Sequence, residues 1–202
     1  MDSIFGKIST MPPLNQPKLT PGRVYRTREF RKWGANAPRL AKRLFMSGTI
    51  IPLAHGLFAV PKRSRFGPVP PADDEVIRAF LSSTQFLFTG PDRWNALGLG
   101  TTALWAMPLV YNTKRSGTFT LGGRRFMLKR VAFPAKPPPE WFVVDLLENA
   151  DLAGVSRSDL AGALQRALRA GSFDGNRLRE MAKAFGTRKT QQLVESCLAA
   201  TN

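Results

Sequence analysis

Residues 37–62 read "APRLAKRLFMSGTIIPLAHGLFAVPK", a short amphipathic helix that runs directly into a tight apolar hairpin. Asn36 can cap the helix at its start, and Gly48 can end it. The segments "TIIPL" and "LFAVP" then have the composition of two short strands around "AHG". This stretch therefore predicts a helix from Ala37 to about Ser47, followed by a β-hairpin.

At about 100° per residue, the predicted helix has two chemically different arcs. One arc is apolar and consists of Ala37, Leu40, Ala41, Leu44 and Phe45. The opposite arc carries Arg39, Lys42, Arg43 and Met46. An earlier helix, "REFRKWG", which Thr27 can cap and Gly34 can end, completes the order helix, turn, helix, hairpin.

This order is typical of a winged helix-turn-helix, in which the second helix enters the major groove of DNA. Arginine can contact guanine O6 and N7 with both prongs, whereas lysine supplies a less directional charge. We therefore interpret Arg39, Lys42 and Arg43 as the central DNA-binding residues. The residues expected to contact DNA around them are Arg26, Arg28, Arg31, Lys32, Asn36, His55, Lys62 and Arg63. The alternatives are a solvated basic face for the helix and a plain turn residue for His55.

The charge distribution favours the same interpretation. The chain of 202 residues has 30 Lys and Arg against 14 Asp and Glu, a net charge of +16. Residues 1–70 hold 13 of these cations and only 2 of the acids. Such an excess indicates a polyanionic partner, and its location points to the N-terminal third.

The proline-rich stretch 61–74 predicts a boundary between two domains, residues 1–70 and 71–202. The second domain is expected to have strands over about 86–133 and helices over about 140–200. The predicted fold class is α+β: an N-terminal winged helix-turn-helix, then a mixed domain with a small antiparallel sheet and C-terminal helices. Apolar residues recur at helical spacing in those last helices and predict core, with a dimer or partner interface as the alternative.

A second basic cluster lies between Tyr111 and Phe133, where no acidic residue occurs. It consists of Lys114, Arg115, Arg124, Arg125, Lys129 and Arg130. Strand alternation places Arg125, Met127 and Lys129 on one side, and Phe126, Leu128 and Arg130 on the other. The cluster could contact DNA, bind an acidic protein, or form the polar face of a sheet.

Little in the sequence indicates catalysis. One His and one Cys, far apart, predict neither a metal cluster nor a Cys–His pair, and no cofactor is expected. Asp145 and Glu148 share a helix face, which we interpret as an exposed polar side. We therefore predict that the protein is not an enzyme. Neither a signal peptide nor a membrane span is expected, so we also predict a cytoplasmic location.

Residues 24–62, "VYRTREFRKWGANAPRLAKRLFMSGTIIPLAHGLFAVPK", resemble the N-terminal winged helix-turn-helix of AbiEi-type antitoxins, from bacterial abortive-infection toxin–antitoxin systems. The residues that match the family pattern are Arg43, Leu44, Gly48, Gly56, Leu57 and Pro61. His55 stands where the family usually has Arg, and Phe58 where it has Tyr. The segment "VYNTKRSGTFTLGGRRFMLKRV", residues 110–131, resembles the strand pair of that family's second domain.

The resemblance implies a type IV antitoxin of a phage-defence system that represses its own operon by binding DNA repeats. It also implies a nucleotidyltransferase-like toxin, counteracted directly or indirectly. The alternatives are a protein-binding adaptor and a transcriptional regulator unrelated to a toxin. A monomer and a dimer assembled on DNA are both compatible with the sequence.

Overall fold

The computed structural model describes residues 17–102, 104 and 107–201. The chain divides between Ser82 and Ser83 into two compact units. This boundary lies beyond the predicted one at residue 70, because the helix that follows the prolines belongs to the first unit. Its Glu75 carboxylate accepts a hydrogen bond from the Val24 backbone N–H, which ties it to the first strand (3.2 Å).

The described part of the N-terminal unit, residues 17–82, contains five strands and two α-helices. They are β1 (Val24–Arg26), α1 (Ala37–Met46), β2 (Ile51–Ala54), β3 (Leu57–Ala59), β4 (Lys62–Ser64), β5 (Gly67–Val69) and α2 (Asp73–Leu81). A 3-10 helix, Thr27–Trp33, lies between β1 and α1. Strands β1, β3 and β2 form an antiparallel sheet in that order, and β4 pairs with β5 in a separate hairpin.

The core of this unit is built mainly from the 3-10 helix and α1. Phe30 is fully buried and its ring lies 6.0 Å from the rings of Tyr25 and Phe58. Leu40 and Leu44 of α1 are buried in the same cluster. The predicted order of helix, turn, helix and hairpin is therefore present, with a 3-10 helix in the first position.

Two features of the 3-10 helix bear on the predicted cap and end. Arg26, rather than Thr27, is the N-cap residue, and the Arg26 N–H donates to Glu29 Oε2 (2.8 Å). Thr27 is the first residue of the helix, and its N–H donates to the Gly56 carbonyl of the β2–β3 turn (3.0 Å). The predicted cap was therefore wrong by one residue, whereas the predicted end at Gly34 is confirmed.

The C-terminal unit, where the structure describes it, combines a four-stranded sheet with five helices. Its elements are β6 (Phe86–Thr89), α3 (Pro91–Asn95), β7 (Leu109–Asn112), β8 (Gly117–Leu121), β9 (Arg124–Arg130), α4 (Pro139–Glu148), α5 (Arg157–Arg169), α6 (Gly175–Phe185) and α7 (Arg188–Ala199). The strand order is β6-β7-β9-β8. The predicted α+β class, with C-terminal helices, is confirmed.

The sheet differs from the prediction in one pair. Strands β7 and β9 are parallel, whereas β6–β7 and β8–β9 are antiparallel. After β7 the chain forms the edge strand β8. It then turns back as β9, which lies between β7 and β8. Gly122 and Gly123 allow this return because both adopt positive φ, 60° and 79°, as two-residue hairpin turns require.

The C-terminal helices bury the apolar residues that the sequence singled out. Leu160, Leu164 and Leu178 are fully buried, and Val194 and Cys197 lie in the same cluster. Among the described residues, no helix is long and apolar enough to cross a membrane.

Candidate nucleic-acid interface

Helix α1 presents its cations to solvent because its apolar residues are fixed in the core. Asn36 Oδ1 accepts a hydrogen bond from the Arg39 backbone N–H (3.0 Å), which confirms the predicted cap. Leu40 and Leu44 are buried, one turn apart. The opposite arc then has to face outward, since residues are spaced by about 100° around a helix.

We call Arg39, Lys42 and Arg43 the cationic ridge; all three residues are exposed. Among the described residues, no carboxylate forms a salt bridge with any of them, whereas Arg23 and Arg78 of the same unit are paired with acids. Between Phe30 and Ala72 the sequence contains eight Lys and Arg and no Asp or Glu. The ridge therefore lies in a region of uncompensated positive charge.

A groove of about 570 Å³ runs beside the ridge. Its walls are the end of the 3-10 helix and the outer face of α1. The lining residues are Trp33, Gly34, Ala35, Asn36, Arg39, Leu40, Lys42, Arg43 and Met46. Met46 is 74% exposed at the far end. Guanidinium and ammonium groups thus border a concave, partly apolar surface.

Phe45 departs from the predicted apolar arc, since 46% of it is exposed. It occupies the position four residues after Ala41, which is buried. However, α1 ends one residue later, and the chain turns away at Gly48, whose φ is 68°. The helix is too short for its last turn to be covered.

The flanking cations occupy two different environments. Arg31 and Lys32 are exposed in the last turn of the 3-10 helix. By contrast, the guanidinium groups of Arg26 and Arg28 both donate to Ser82 Oγ, at the C-terminal end of α2. Cations are favourable there because the helix end carries partial negative charge. Arg26 is half-buried and is thus engaged in holding α2 against β1.

The remaining predicted contacts lie on the two hairpins. His55 is exposed at the β2–β3 turn. Lys62 and Arg63, which the sequence placed in a linker, are instead exposed residues of β4. The stem of Lys62 lies across Gly22, where an added Cβ would come within 2.3 Å of the Lys62 Cε.

The second basic cluster does not form one face. Arg124 and Arg125 begin β9, and Arg130 ends it, so the two ends are separated by about 20 Å at 3.3 Å per residue. Lys114 and Arg115 lie in the β7–β8 loop, where both backbone N–H groups donate to Asn112 Oδ1. Lys129 is half-buried and donates to Asn149 Oδ1 (2.7 Å). The predicted strand alternation is confirmed, but it distributes these cations over both sides of β9.

Sequence reasoning missed a buried polar network around Asp145. The prediction of an exposed side was wrong, because only 4% of Asp145 is exposed. Its Oδ2 accepts hydrogen bonds from the Thr89 hydroxyl and from Trp94 Nε1, the latter at 2.8 Å. Its Oδ1 accepts from the Tyr111 hydroxyl (2.6 Å) and from Asn149 Nδ2 (3.1 Å).

Burial raises the pKa of the Asp145 carboxyl, since desolvation outweighs the lowering effects of these hydrogen bonds and of Lys129. Burial and the nearby carboxylate also raise the pKa of Tyr111. The network joins β6, α3, β7 and α4, so it acts as a polar cross-link of the C-terminal unit. Its sequence signal is the acid inside "WFVVDLL", residues 141–147: a helix that is apolar on all sides is normally buried.

A cavity of about 260 Å³ lies beside this network. Its lining includes Tyr111, Lys129, Trp141, Glu148 and Phe185. Glu148 accepts a hydrogen bond from the Thr187 N–H (2.7 Å), so it also has a structural partner. Among the described residues, no group of three His, Cys, Asp or Glu side chains is arranged to hold a metal ion.

Comparisons with known proteins found no relative of this chain. No family model, no curated protein and no solved structure matches it. The geometry of the cationic ridge is therefore the main support for a functional proposal.

Proposed function

We propose that the protein binds double-stranded DNA through the cationic ridge of α1. The observation that carries this proposal is that three exposed cations, with no carboxylate partner among the described residues, lie on one face of a helix whose other face is buried. Phosphate neutralisation by such cations supplies much of the affinity of DNA-binding proteins. Their fixed spacing on a capped helix supplies register.

In this proposal the N-terminal unit is a winged helix-turn-helix. The 3-10 helix and α1 take the place of the two helices, and α1 enters the major groove. Arg39 and Arg43 are one turn apart, which suits contacts with neighbouring base pairs. The β2–β3 hairpin then lies in the position of the wing, with His55 at its turn.

The test is fluorescence anisotropy with two labelled 30-base-pair duplexes, one from the region upstream of the protein's own gene and one of scrambled sequence. The variant is Arg39→Ala/Arg43→Ala. We expect its affinity to fall at least about 30-fold, since it removes two arginines and each bidentate guanine contact contributes roughly 1–3 kcal/mol. The matched control is Arg188→Ala/Lys189→Ala, which removes two exposed cations from the C-terminal unit.

A charge-conserving variant separates sequence reading from phosphate attraction. Arg39→Lys/Arg43→Lys keeps both charges but loses the bidentate geometry. We expect it to lose the preference for the upstream duplex, while the salt dependence stays close to that of the wild type. The alanine variant should lower the salt slope by about 0.9 for each phosphate contact that is lost. Equal losses in the alanine variant and in the C-terminal control would contradict a localised interface.

We further propose that the protein is an antitoxin that represses its own operon. This role rests on the resemblance of residues 24–62 and 110–131 to AbiEi-type antitoxins. It predicts a neighbouring gene for a nucleotidyltransferase-like toxin. Co-expression should restore growth of cells that carry this toxin, and a promoter reporter should be repressed by the wild type but not by Arg39→Ala/Arg43→Ala.

An adaptor function through the second basic cluster is less well supported. Its cations lie at both ends and on both sides of β9, and Lys129 is held by Asn149. Unchanged DNA binding in Arg39→Ala/Arg43→Ala together with loss in Arg124→Ala/Arg125→Ala would assign DNA binding to that cluster, whereas absence of binding to any duplex at low salt would favour the adaptor.

A further inference from the structure

The β4–β5 hairpin presents an aromatic ring to solvent. Phe66 is 85% exposed and stands at the two-residue turn between the strands. The guanidinium carbon of Arg65 lies 4.6 Å from the centroid of this ring. Among the described residues of the N-terminal unit, Phe66 is the most exposed large hydrophobic side chain.

The turn that carries Phe66 is tied by its own hydrogen bonds. Ser64 Oγ accepts from the Phe66 N–H (3.2 Å) and donates to the Gly67 carbonyl (3.0 Å). Gly67 adopts a φ of 110°, which a side chain would strain. Backbone and side-chain bonds thus hold Phe66 at the end of the hairpin.

All charged residues of this hairpin are cations. Lys62 and Arg63 are exposed on β4, Arg65 follows at the turn, and no acidic residue occurs between Lys62 and Asp73. A cationic hairpin with one exposed ring complements a polyanion that offers flat apolar surfaces. Duplex DNA offers both, as phosphates along its grooves and as faces of stacked bases.

The β4–β5 hairpin begins near the end of the β1-β3-β2 sheet at which the chain enters β2 from α1. Ile51, which follows α1 by a short loop, pairs with Ala59 of β3, and Ala59 also pairs with Val24. Lys62 begins β4 three residues beyond Ala59 and lies against Gly22. The loop that follows α1 and the start of the hairpin therefore lie at the same end of the sheet, within one unit.

We propose that the β4–β5 hairpin is a minor-groove wedge. Arg65 enters the minor groove, and the Phe66 ring inserts against a base step, partly unstacks it and bends the duplex. Minor-groove proteins use apolar side chains flanked by cations in this way. This inference rests on the proposed DNA binding and adds to it a second contact, with a different structural effect on DNA.

A lipid surface is the less suitable partner for the hairpin. Membrane attachment requires a sizeable apolar area in addition to positive charge. The other exposed large hydrophobic residue of this hairpin is Val69, which is only 41% exposed. One ring with a guanidinium over its face is better matched to a single base step.

The test measures affinity and bending separately. A 30-base-pair duplex from the upstream region carries a donor fluorophore at one end and an acceptor at the other, so bending raises energy transfer. The variants are Phe66→Ala and Phe66→Trp, with Val69→Ala as the matched control on the same hairpin. Circular dichroism should show no change in fold, because Phe66 is outside the core.

We expect Phe66→Ala to weaken binding roughly tenfold, in line with the loss of one stacking contact, and to abolish bending at saturating protein. Phe66→Trp should retain both, and Val69→Ala should behave as wild type. Arg39→Ala/Arg43→Ala should weaken binding but still bend the duplex when saturated. The two surfaces are thereby distinguished.

Three results would overturn the inference. Wild-type affinity and bending in Phe66→Ala would remove the wedge and leave ridge-dependent binding intact. If Phe66→Ala lost binding to vesicles containing 30% phosphatidylserine while its DNA binding stayed at the wild-type level, the hairpin would be a membrane contact instead. Absence of wild-type binding to any duplex at 50 mM salt would remove the proposed function and the wedge together.

Discussion

Replacing Asp145 by alanine should selectively destabilise the C-terminal unit. The carboxylate accepts hydrogen bonds from four side chains of this unit, those of Thr89, Trp94, Tyr111 and Asn149. Alanine leaves the Trp94 indole N–H and the hydroxyl groups of Thr89 and Tyr111 without this acceptor. These groups are buried, and Thr89 and Trp94 lie outside the lining of the nearby cavity, so water cannot readily replace the lost oxygen atom at those two donors.

The expected magnitude follows from two opposing effects. Each buried donor without an acceptor costs roughly 1–3 kcal/mol, and three donors are affected. Part of this cost is offset because a carboxylate with a raised pKa no longer has to be buried. We therefore expect the free energy of unfolding to fall by about 3 kcal/mol.

Urea unfolding, followed by near-ultraviolet circular dichroism, measures this loss. Hydrogen exchange assigns it to a unit, because protection of α4 should fall while protection of α1 stays unchanged. Asp151→Ala is the matched control, since Asp151 is an exposed acid of the same unit. Equal unfolding midpoints for Asp145→Ala and Asp151→Ala would refute the reasoning, as would a loss of protection in α1 alone.

Two further predictions concern the helix cap and the titration of Asp145. Asn36→Ala removes the acceptor of the Arg39 N–H and should lower the free energy of unfolding of the N-terminal unit by about 1 kcal/mol in urea, whereas Asn36→Ser should largely restore it. The raised pKa of Asp145 stabilises the folded state below about pH 4, the ordinary range of an aspartate, and this contribution disappears as pH rises through the folded-state pKa. Asp145→Asn lacks this titration, so its deficit relative to wild type should be larger at pH 4 than at pH 7; a constant deficit would contradict the shift.

Helix α1 could be predicted from the sequence because its determinants are local. The cap at Asn36, the end at Gly48 and the alternation of buried and exposed residues all lie within one short segment. Its exposed cations follow directly from this periodicity. Only Phe45 departs, since the coverage of a last turn depends on where the chain goes next.

The β4–β5 hairpin could not be predicted in the same way. Prolines at 61, 68, 70 and 71 are typical of a linker, and they suggested a domain boundary. In a two-stranded ribbon, however, both strands are edges, and proline is tolerated where its missing N–H would face solvent. Pro68 pairs with Arg63 in this setting.

The Asp145 network was missed because it depends on contacts between distant segments. Helical spacing places Asp145 and Glu148 on similar sides, which indicates a polar face when a helix is considered alone. The partners of Asp145 come from β6, α3 and β7, at sequence separations of 34 to 56 residues. Local periodicity cannot predict such convergence.

The cationic ridge differs from that network because, in the part of the chain that the structure describes, no salt bridge ties its three side chains to the fold. Arg39 lies three residues before Lys42 and four before Arg43, so these like charges repel along one helix face. Arg39→Ala/Arg43→Ala removes this repulsion and introduces the residue with the highest helix propensity. We therefore expect unfolding in urea at 20 mM salt to show equal or higher stability for the variant, with the difference reduced at 500 mM salt. A variant that loses both stability and DNA binding would show that the arginines serve the fold, whereas greater stability with lost binding is what a surface shaped for a polyanion should give.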